Sequence, residues 1–123
     1  MENVKIKNAT TVDKYGLHFR SRLECYTYEA FMKAGIPVEY EPKRFELLPK
    51  FEYLGEKLRA MVYTPDFIGN GFIVECKGFA NDAFPLRWKL FKYTLMKSKS
   101  TTKLYLVRNH KQVDEMIAEL QKR

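Results

Sequence analysis

The chain has 123 residues and a formal net charge of +7, with 46% hydrophobic and 15% aromatic residues. Such a length and apolar content are typical of one folded domain and exclude an intrinsically disordered chain. No apolar run approaches the roughly 18 residues that a membrane-spanning helix needs, and the opening MENVKIKNATTV lacks the apolar segment of a signal peptide. We therefore expect a single domain over residues 1–123, soluble in the cytoplasm and without a membrane partner.

The first half of the chain predicts a hairpin followed by a helix. Residues 1–19 are polar and β-branched, and the DKYG at residues 13–16 has turn composition. This predicts a short N-terminal hairpin, or an arm that a partner orders. The next segment, SRLECYTYEAFMKAG, places its apolar residues on one helical stripe, and Gly35 and Pro37 end it. We therefore predict a helix over residues 21–34.

Extended segments follow Pro37. VEYEPKRFELL predicts one strand, and FEYLGEKLRAMVY predicts two more about a turn at residues 54–57. A strand at residues 61–67 is expected to turn at residues 69–71 into a strand at residues 72–77. Glycine and asparagine at that turn supply the positive φ values that tight hairpins require.

The last third of the chain alternates helix and strand. Pro85 suits the first turn of a helix that continues through LRWKLFKYTLMK, with Leu90 and Tyr93 expected to point inward. LYLVRN predicts a buried strand, and HKQVDEMIAELQKR predicts a closing amphipathic helix. This order of elements predicts an α/β fold in which helices flank a mixed β-sheet.

The segment YTPDFIGNGFIVECKG has charged residues where a strand would have apolar ones. Alternate residues of a strand share a face, so Glu75 and Lys77 should point to one side and Cys76 to the other. The hairpin should also fold Asp66 back beside Glu75. Two facing carboxylates repel each other, and a hard divalent cation such as Mg²⁺ removes that conflict. The alternative is an ordinary edge hairpin with an ion pair between Asp66 and Lys77.

The cysteines and histidines do not predict a zinc site. Four ligands would require every such residue of the chain at once, in no recognisable zinc spacing: Cys25, Cys76, His18 and His110. We expect both cysteines to be small buried residues in a reducing compartment.

The excess positive charge lies in residues 83–113, which contain eight basic residues and no acidic one. The other 14 basic and 15 acidic residues nearly cancel. A basic segment within a folded domain indicates a polyanionic partner such as nucleic acid; a solvated basic face is the alternative. The candidate DNA contacts are Arg87, Lys89, Lys92, Lys97 and Lys99, with Lys103 extending the track. Lys89 and Lys92 are the strongest candidates because they share a helical face.

The PD at residues 65–66 and the ECK at residues 75–77, joined by a hairpin, resemble the signature of PD-(D/E)XK nucleases. More narrowly, the strings SRLE, GIPVEYE, YTPDF and GFIVECKG resemble the phage endonuclease I branch, which resolves Holliday junctions. The FRS before the first helix and the hairpin at residues 51–63 are similar to small phage proteins of a related uncharacterised nuclease family.

This resemblance implies a restriction-endonuclease-like core and a metal-dependent endonuclease that hydrolyses phosphodiester bonds in DNA. It implies a preference for branched DNA, a homodimer, and Mg²⁺ with Mn²⁺ as a substitute, in the cytoplasm of a bacterial or phage-infected cell. Asp66, Glu75, Glu24 and the carbonyl of Cys76 would be metal ligands. Lys77 would complete a catalytic set of Glu24, Asp66, Glu75 and Lys77.

Several alternatives remain open at this stage. Ser21 to Glu24 also reads as a capping box, in which the glutamate needs no metal. Phage endonuclease I builds its sites from two intertwined chains, whereas the added hairpin here makes such exchange doubtful. The same chemistry would also serve to nick or trim linear or flapped DNA. A module that binds DNA without cleaving it is the alternative from another class.

Overall fold

The computed structural model describes residues 10–78 and 83–123. Its strands are β1 (Val12–Lys14), β2 (Leu17–Phe19), β3 (Val38–Tyr40), β4 (Phe45–Leu48), β5 (Phe51–Tyr53), β6 (Glu56–Leu58), β7 (Met61–Tyr63), β8 (Phe67–Gly69), β9 (Phe72–Cys76) and β10 (Lys103–Val107). Its helices are α1 (Arg22–Ala34), α2 (Phe84–Lys97) and α3 (His110–Gln121). None of these described helices is long and apolar enough to cross a membrane.

The central sheet has four strands in the order β10-β9-β8-β3. β10 is parallel to β9, whereas the β9–β8 and β8–β3 pairs are antiparallel. The remaining strands form three two-stranded ribbons, β1–β2, β4–β7 and β5–β6. The predicted α/β fold with a mixed sheet is therefore confirmed.

Strand β9 divides the protein into two cores because its side chains alternate between the faces of the sheet. Phe72, Val74 and Cys76 join the larger core, which α1 and α3 cover. Ile73 joins the smaller core, which α2 and the β4–β7 ribbon cover around the fully buried Phe91. Because the sheet has a helix layer against both faces, β9 is buried along its whole length.

The hairpin between β8 and β9 has the turn that the sequence predicts. Gly69 pairs with Phe72, and a Cβ on Gly69 would lie 2.2 Å from the Phe72 ring, so no larger residue fits there. Gly71 has a φ of +83°, which glycine adopts without strain. These two glycines fix the register in which β8 returns beside β9.

The prediction of one unbroken strand over residues 61–67 is wrong. β7 ends at Tyr63 and pairs with β4, whereas β8 begins at Phe67 and pairs with β3 and β9. Pro65 lies in the break, and its missing N–H prevents it from continuing a ladder. The chain thus changes from the ribbon to the central sheet immediately before Asp66 and Phe67.

The prediction of a single strand after Pro37 is also wrong, since residues 41–44 separate β3 from β4. Glu41 begins the break with a φ of +47°, which extended backbone does not have. β3 then joins the central sheet, and β4 joins the ribbon that covers its other face.

The helices begin and end close to their predicted positions. Ser21 caps α1, and Pro85 lies in the first turn of α2. The inward position predicted for Tyr93 is wrong, because its side chain is 54% exposed and Leu90 is only half-buried. The buried stripe of α2 comprises Phe84, Trp88, Phe91 and Leu95. This stripe contains three large aromatic rings, so its burial removes more apolar surface from water than burial of the predicted stripe with Leu90 and Tyr93 would.

The predicted N-terminal hairpin corresponds to β1 and β2, which pair in antiparallel register. Residues 1–9 of that predicted arm lie outside the described residues. The two strands predicted about residues 54–57 are β5 and β6, which turn at Leu54 and Gly55.

Candidate metal centre

Glu24 projects from the first turn of α1 into a buried position, where it is 7% exposed. Its Oε1 accepts a hydrogen bond from the Tyr40 hydroxyl at 2.5 Å and another from the Arg20 amide at 3.1 Å. Burial raises the pKa of the Glu24 carboxyl, and these two hydrogen bonds oppose the shift. Tyr40 therefore links the end of β3 to the start of α1 through this carboxylate.

The capping-box alternative for Glu24 concerns different atoms from those in the cluster. The Ser21 hydroxyl accepts a hydrogen bond from the Glu24 amide at 3.2 Å, which is the N-cap interaction. The Glu24 carboxylate reaches back to the Arg20 amide, one residue before Ser21. The cap thus uses the backbone of Glu24, and the carboxylate remains among the acidic residues.

Asp66 lies in the break between β7 and β8 and is 7% exposed. Its Oδ2 accepts a hydrogen bond from the Cys76 amide at 2.7 Å, and its backbone carbonyl accepts one from the Glu41 amide at 2.8 Å. Burial raises the pKa of the Asp66 carboxyl well above its usual value, and the charges of Glu75 and Glu24 raise it further. The backbone of β9 therefore holds the Asp66 carboxylate, and the Glu41 amide, just after β3, holds its main chain.

Glu41 is the third member of the cluster, and the sequence reasoning did not identify it. Its backbone has a φ of +47°, a left-handed conformation that costs a residue other than glycine about 1 kcal/mol. Its Oε2 accepts a hydrogen bond from Arg20 Nε at 2.8 Å. Such a strained position at a polar site is typical of a functional constraint.

Carboxylate oxygens of Glu24, Glu41 and Asp66 lie within 4.8 Å of one another, and this buried acidic triad could hold a metal ion. Its donors are all hard oxygens, which suit Mg²⁺, Ca²⁺ or Mn²⁺ better than thiophilic metals. Within residues 10–78 and 83–123, Arg20 is the cation that forms an ion pair with this triad, through Glu41, and its side chain is 71% exposed. One exposed guanidinium cannot neutralise three carboxylates, so the triad suits a divalent cation.

Glu75 is buried near the triad but is held differently. The Tyr63 hydroxyl donates a hydrogen bond to its Oε1. Burial raises the pKa of Glu75 to about 7, against the opposing effects of the Tyr63 hydrogen bond and the Lys77 charge. Glu75 is not among the three residues whose oxygens converge within 4.8 Å. Its predicted role as a metal ligand therefore stays a prediction.

Cys76 and Lys77 follow Glu75 at the end of β9. The Cys76 thiol packs in the larger core and donates a hydrogen bond to Thr27 Oγ1 at 3.5 Å, so it points away from Glu75, as the strand period predicts. The Lys77 ammonium lies 5.1 Å from the centre of the Phe84 ring. The described residues contain no ion pair between Lys77 and Asp66, which the edge-hairpin alternative requires.

The basic residues in and after α2 differ in their exposure and in their partners. Arg87 is half-buried and donates a hydrogen bond from Nη1 to the Val62 carbonyl at 3.0 Å, so it fastens α2 to the β4–β7 ribbon. Lys103 pairs with Glu119 at 3.2 Å. The exposed members of the predicted set are Lys89, Lys92, Lys97 and Lys99. Since α2 begins beside Lys77 and rises about 1.5 Å per residue, these lysines extend roughly 20 Å from the site.

Sequence reasoning missed the residues that β3 brings to the site. Tyr40 pairs with Phe67 across the sheet, so Glu41 arrives beside Asp66. The signal available was the acidic residue that ends VEYE, but only the pairing of β3 with β8 makes it adjacent to the site. The sequence motif YTPDF likewise contains Tyr63, the last residue of β7, but it assigns no role to that residue.

Comparison with known proteins gives one match. Residues 5–113 match the family model described as "Protein of unknown function (DUF1064)". No curated protein and no solved structure matches the chain. The matched range contains the acidic triad, Glu75, Lys77 and α2, and it covers most of the 123 residues. The chain therefore belongs to the DUF1064 family.

Proposed function

We propose that this protein is a metal-dependent DNA endonuclease with a restriction-endonuclease-like core of the PD-(D/E)XK class. The observation that carries the proposal is the triad of Glu24, Glu41 and Asp66, with Glu75 on the adjacent strand β9 and Lys77 immediately after it. Carboxylates that hold a divalent ion, with a lysine beside them, could together stabilise the charge that develops on a phosphate during phosphodiester hydrolysis.

The metal would be Mg²⁺, with Mn²⁺ as a substitute, and the triad would hold it. Such an ion supplies Lewis-acid stabilisation of the negative charge that develops on the phosphate. The predicted further ligands, Glu75 and the Cys76 carbonyl, are compatible with this arrangement. Glu75 could bind the ion through Oε2 while its Oε1 keeps the hydrogen bond from the Tyr63 hydroxyl.

Lys77 would be the catalytic lysine. Its ammonium would orient the attacking water and stabilise charge on the phosphorane. Its charge also favours the ionised form of Glu75, the neighbour on the same side of β9. Phe84 limits the positions open to the Lys77 side chain, because the ammonium packs over its ring.

DNA would lie along α2. The exposed lysines on this helix and just after it would contact phosphates, which fixes the position of the DNA without reading its sequence. Binding of this kind weakens steeply as salt is added. We further propose a preference for branched DNA and a homodimer, since two symmetric cuts at a junction call for two sites.

The test is a cleavage assay in Mg²⁺ on a four-way junction, linear duplex, flapped duplex and single strands. We expect the wild-type protein to cut the junction fastest, and Asp66→Asn to reduce the rate at least about 100-fold because a metal ligand is lost. Glu115→Gln is the matched control: Glu115 is an exposed carboxylate on α3, so its rate should match the wild type.

Three other results would change the proposal. Equal rates on junction and linear or flapped DNA would show a general nicking or trimming nuclease. Metal-independent DNA binding, indifferent to Asp66→Asn and without cleavage, would show a non-catalytic binding module. Cleavage that survives Asp66→Asn undiminished would exclude the triad as the active site.

A further inference from the structure

The β5–β6 hairpin, residues 51–58, is the part of the described chain least covered by the rest. Its strands pair only with each other, with Phe51 opposite Leu58 and Tyr53 opposite Glu56. None of its side chains is buried, and only Leu58 is half-buried. A two-stranded hairpin of this size is marginally stable alone, so a surface that it contacts would help to order it.

The tip of this hairpin is apolar. Tyr53 is 62% exposed and Leu54 is 88% exposed. Leu54 and Gly55 have φ values of +49° and +89°, and two consecutive positive values are typical of a type I′ turn. That turn favours Asn-Gly or Asp-Gly, so a leucine in its first position is both strained and exposed. Folding alone would favour a polar residue at Leu54.

The base of the hairpin continues into the candidate site. β4 precedes the hairpin and β7 follows it, and Tyr63, the last residue of β7, donates a hydrogen bond to Glu75. The basic helix α2 packs against the same ribbon through Phe45 and Phe91, whose ring centres are 5.0 Å apart. The ribbon therefore connects the hairpin, the acidic residues and the basic helix.

Basic side chains flank the base of the hairpin, and one, Lys57, lies nearer the apolar tip, opposite Glu52. Lys50, Lys57 and Arg59 are all exposed on the hairpin or at its base, against the two acidic residues Glu52 and Glu56. An exposed tyrosine ring can stack on a base, and an apolar side chain can wedge between bases. The basic side chains near them can contact the phosphates.

We propose that the hairpin tip inserts Leu54 and stacks Tyr53 against bases exposed at a branch point in the DNA. This inference rests on the proposed function. Aromatic side chains stack on any base, and leucine is one of the residues that wedge between base steps. Such contacts require bases that are already unstacked, so the hairpin would give preference for branched over linear DNA.

A second copy of the chain fits the hairpin less well. A stable protein interface buries about 800 Å² on each partner. Even full burial of two aromatic side chains removes only about 150–250 Å² each, and Phe51 and Tyr53 are already partly covered. The apolar surface of the hairpin is too small for such an interface and suits a few bases.

The variant that tests the inference is Y53T/L54N. Threonine keeps the strand preference at position 53, and asparagine suits the positive φ at position 54, so the hairpin should still form. The matched control is Glu52→Thr, in the same strand but with its side chain on the other face of the hairpin. Both variants leave the acidic triad, Glu75 and Lys77 unchanged.

Binding is measured in Ca²⁺, in place of Mg²⁺, on a four-way junction with 2-aminopurine at the branch point and on linear duplex. We expect wild-type protein to lower the 2-aminopurine fluorescence, because Tyr53 stacks on the unstacked base. Y53T/L54N should abolish that decrease and weaken junction binding about 10-fold or more. Its affinity for linear duplex should change less than about 2-fold. Glu52→Thr should retain the fluorescence decrease, and loss of its negative charge should strengthen binding to both DNAs alike.

The outcomes separate this inference from the proposed function. If Y53T/L54N binds the junction and lowers its fluorescence as the wild type does, the hairpin does not insert, although the endonuclease proposal stands. If the variant converts a dimer into a monomer by light scattering, the hairpin is a protein interface and the inference is overturned. If wild-type protein neither binds nor cuts DNA, the proposed function fails and the inference fails with it.

Discussion

The acidic side chains at this site are held in two different ways. Glu24, Glu41 and Asp66 form a triad whose oxygens converge and whose bound cation, Arg20, is largely exposed. Glu75 instead has the Lys77 charge near it, in addition to a buried hydrogen-bond donor, the Tyr63 hydroxyl. Asp66 also has a buried donor, the Cys76 amide, so the two neighbouring regions differ in the lysine charge and in the convergence of the triad oxygens.

This difference indicates what each region needs. Buried carboxylates without compensation are neutralised by a proton or by a cation. The triad favours a divalent cation because its oxygens converge on one point, whereas Glu75 can be satisfied by Tyr63, Lys77 and a proton. The predictions below test whether the two regions differ in this way.

The largest expected effect is a loss of stability of the metal-free protein as the pH rises. Burial raises the pKa of Glu75 from 4.5 to about 7, and the pKa values of Asp66 and Glu24 also rise. The folded protein therefore binds protons more tightly than the unfolded chain, so this stabilisation is complete below pH 4.5 and is lost as pH rises through about 7. For Glu75 alone the loss is about 3 kcal/mol.

Urea unfolding in EDTA at pH 5 and pH 8 measures this loss. Glu75→Gln should reduce the difference in the free energy of unfolding between pH 5 and pH 8, since glutamine does not ionise. Adding Mg²⁺ at pH 8 should restore stability, because the ion binds the folded triad. Equal stability at both pH values in EDTA would show that these carboxyls titrate normally.

The second prediction concerns which carboxylates bind the metal. Glu41→Gln should weaken Mn²⁺ binding about 100-fold, whereas Glu75→Gln should weaken it less than about 10-fold, as expected of a residue that only neighbours the ion. Titration of Mn²⁺ followed by electron paramagnetic resonance gives both affinities. Glu115→Gln controls for the loss of one negative charge from the surface.

The opposite ranking would place the ion between Asp66 and Glu75, which is the ligand pair that the motif predicts. Tyr63 would then orient a metal ligand through its hydrogen bond to Glu75 Oε1. The variants Glu41→Gln and Glu75→Gln thus distinguish a metal site at the triad, which the geometry identifies, from a site at Asp66 and Glu75, which the sequence predicts.

Much of the fold could be predicted because its signals are local. The first helix begins after Ser21 and ends at Gly35, and the second has Pro85 in its first turn. The central hairpin turns at residues 69–71. The breaks after β3 and β7 each contain a local signal as well, Pro42 and Pro65. The sheet that each strand joins could not be predicted, because it depends on residues distant in sequence.

In the candidate site, too, the residues positioned by local signals could be predicted and those positioned by distant strand pairing could not. Asp66 and Glu75 were predicted to lie together because one hairpin carries both, and the strand period placed Cys76 on the opposite side. Glu41 was missed because its position depends on β3 pairing with β8. The face of α2 was mistaken because two apolar stripes compete, and only packing on the ribbon selects the one containing Phe91.

The third prediction compares the tyrosines that hold the two regions. Tyr63→Phe should destabilise the metal-free protein by about 2 kcal/mol at pH 8, because it leaves the buried Glu75 carboxylate without its donor. Tyr40→Phe should cost about 1 kcal/mol, since Glu24 keeps the Arg20 amide and Tyr40 is only half-buried. Urea unfolding of both variants in EDTA measures the difference. Equal losses would mean that the two carboxylates depend equally on their tyrosines.

The smallest expected effect tests the strain at Glu41. Glu41→Asn should stabilise the metal-free protein by about 1 kcal/mol more than Glu41→Gln, because asparagine tolerates a φ of +47° and glutamine does not. Both variants remove the same carboxylate and the same ion pair with Arg20, so the difference between them isolates the backbone. Urea unfolding in EDTA gives both free energies. A stabilised Glu41→Asn that binds Mn²⁺ as weakly as Glu41→Gln would show that the protein retains a strained glutamate at the expense of stability in order to bind the ion.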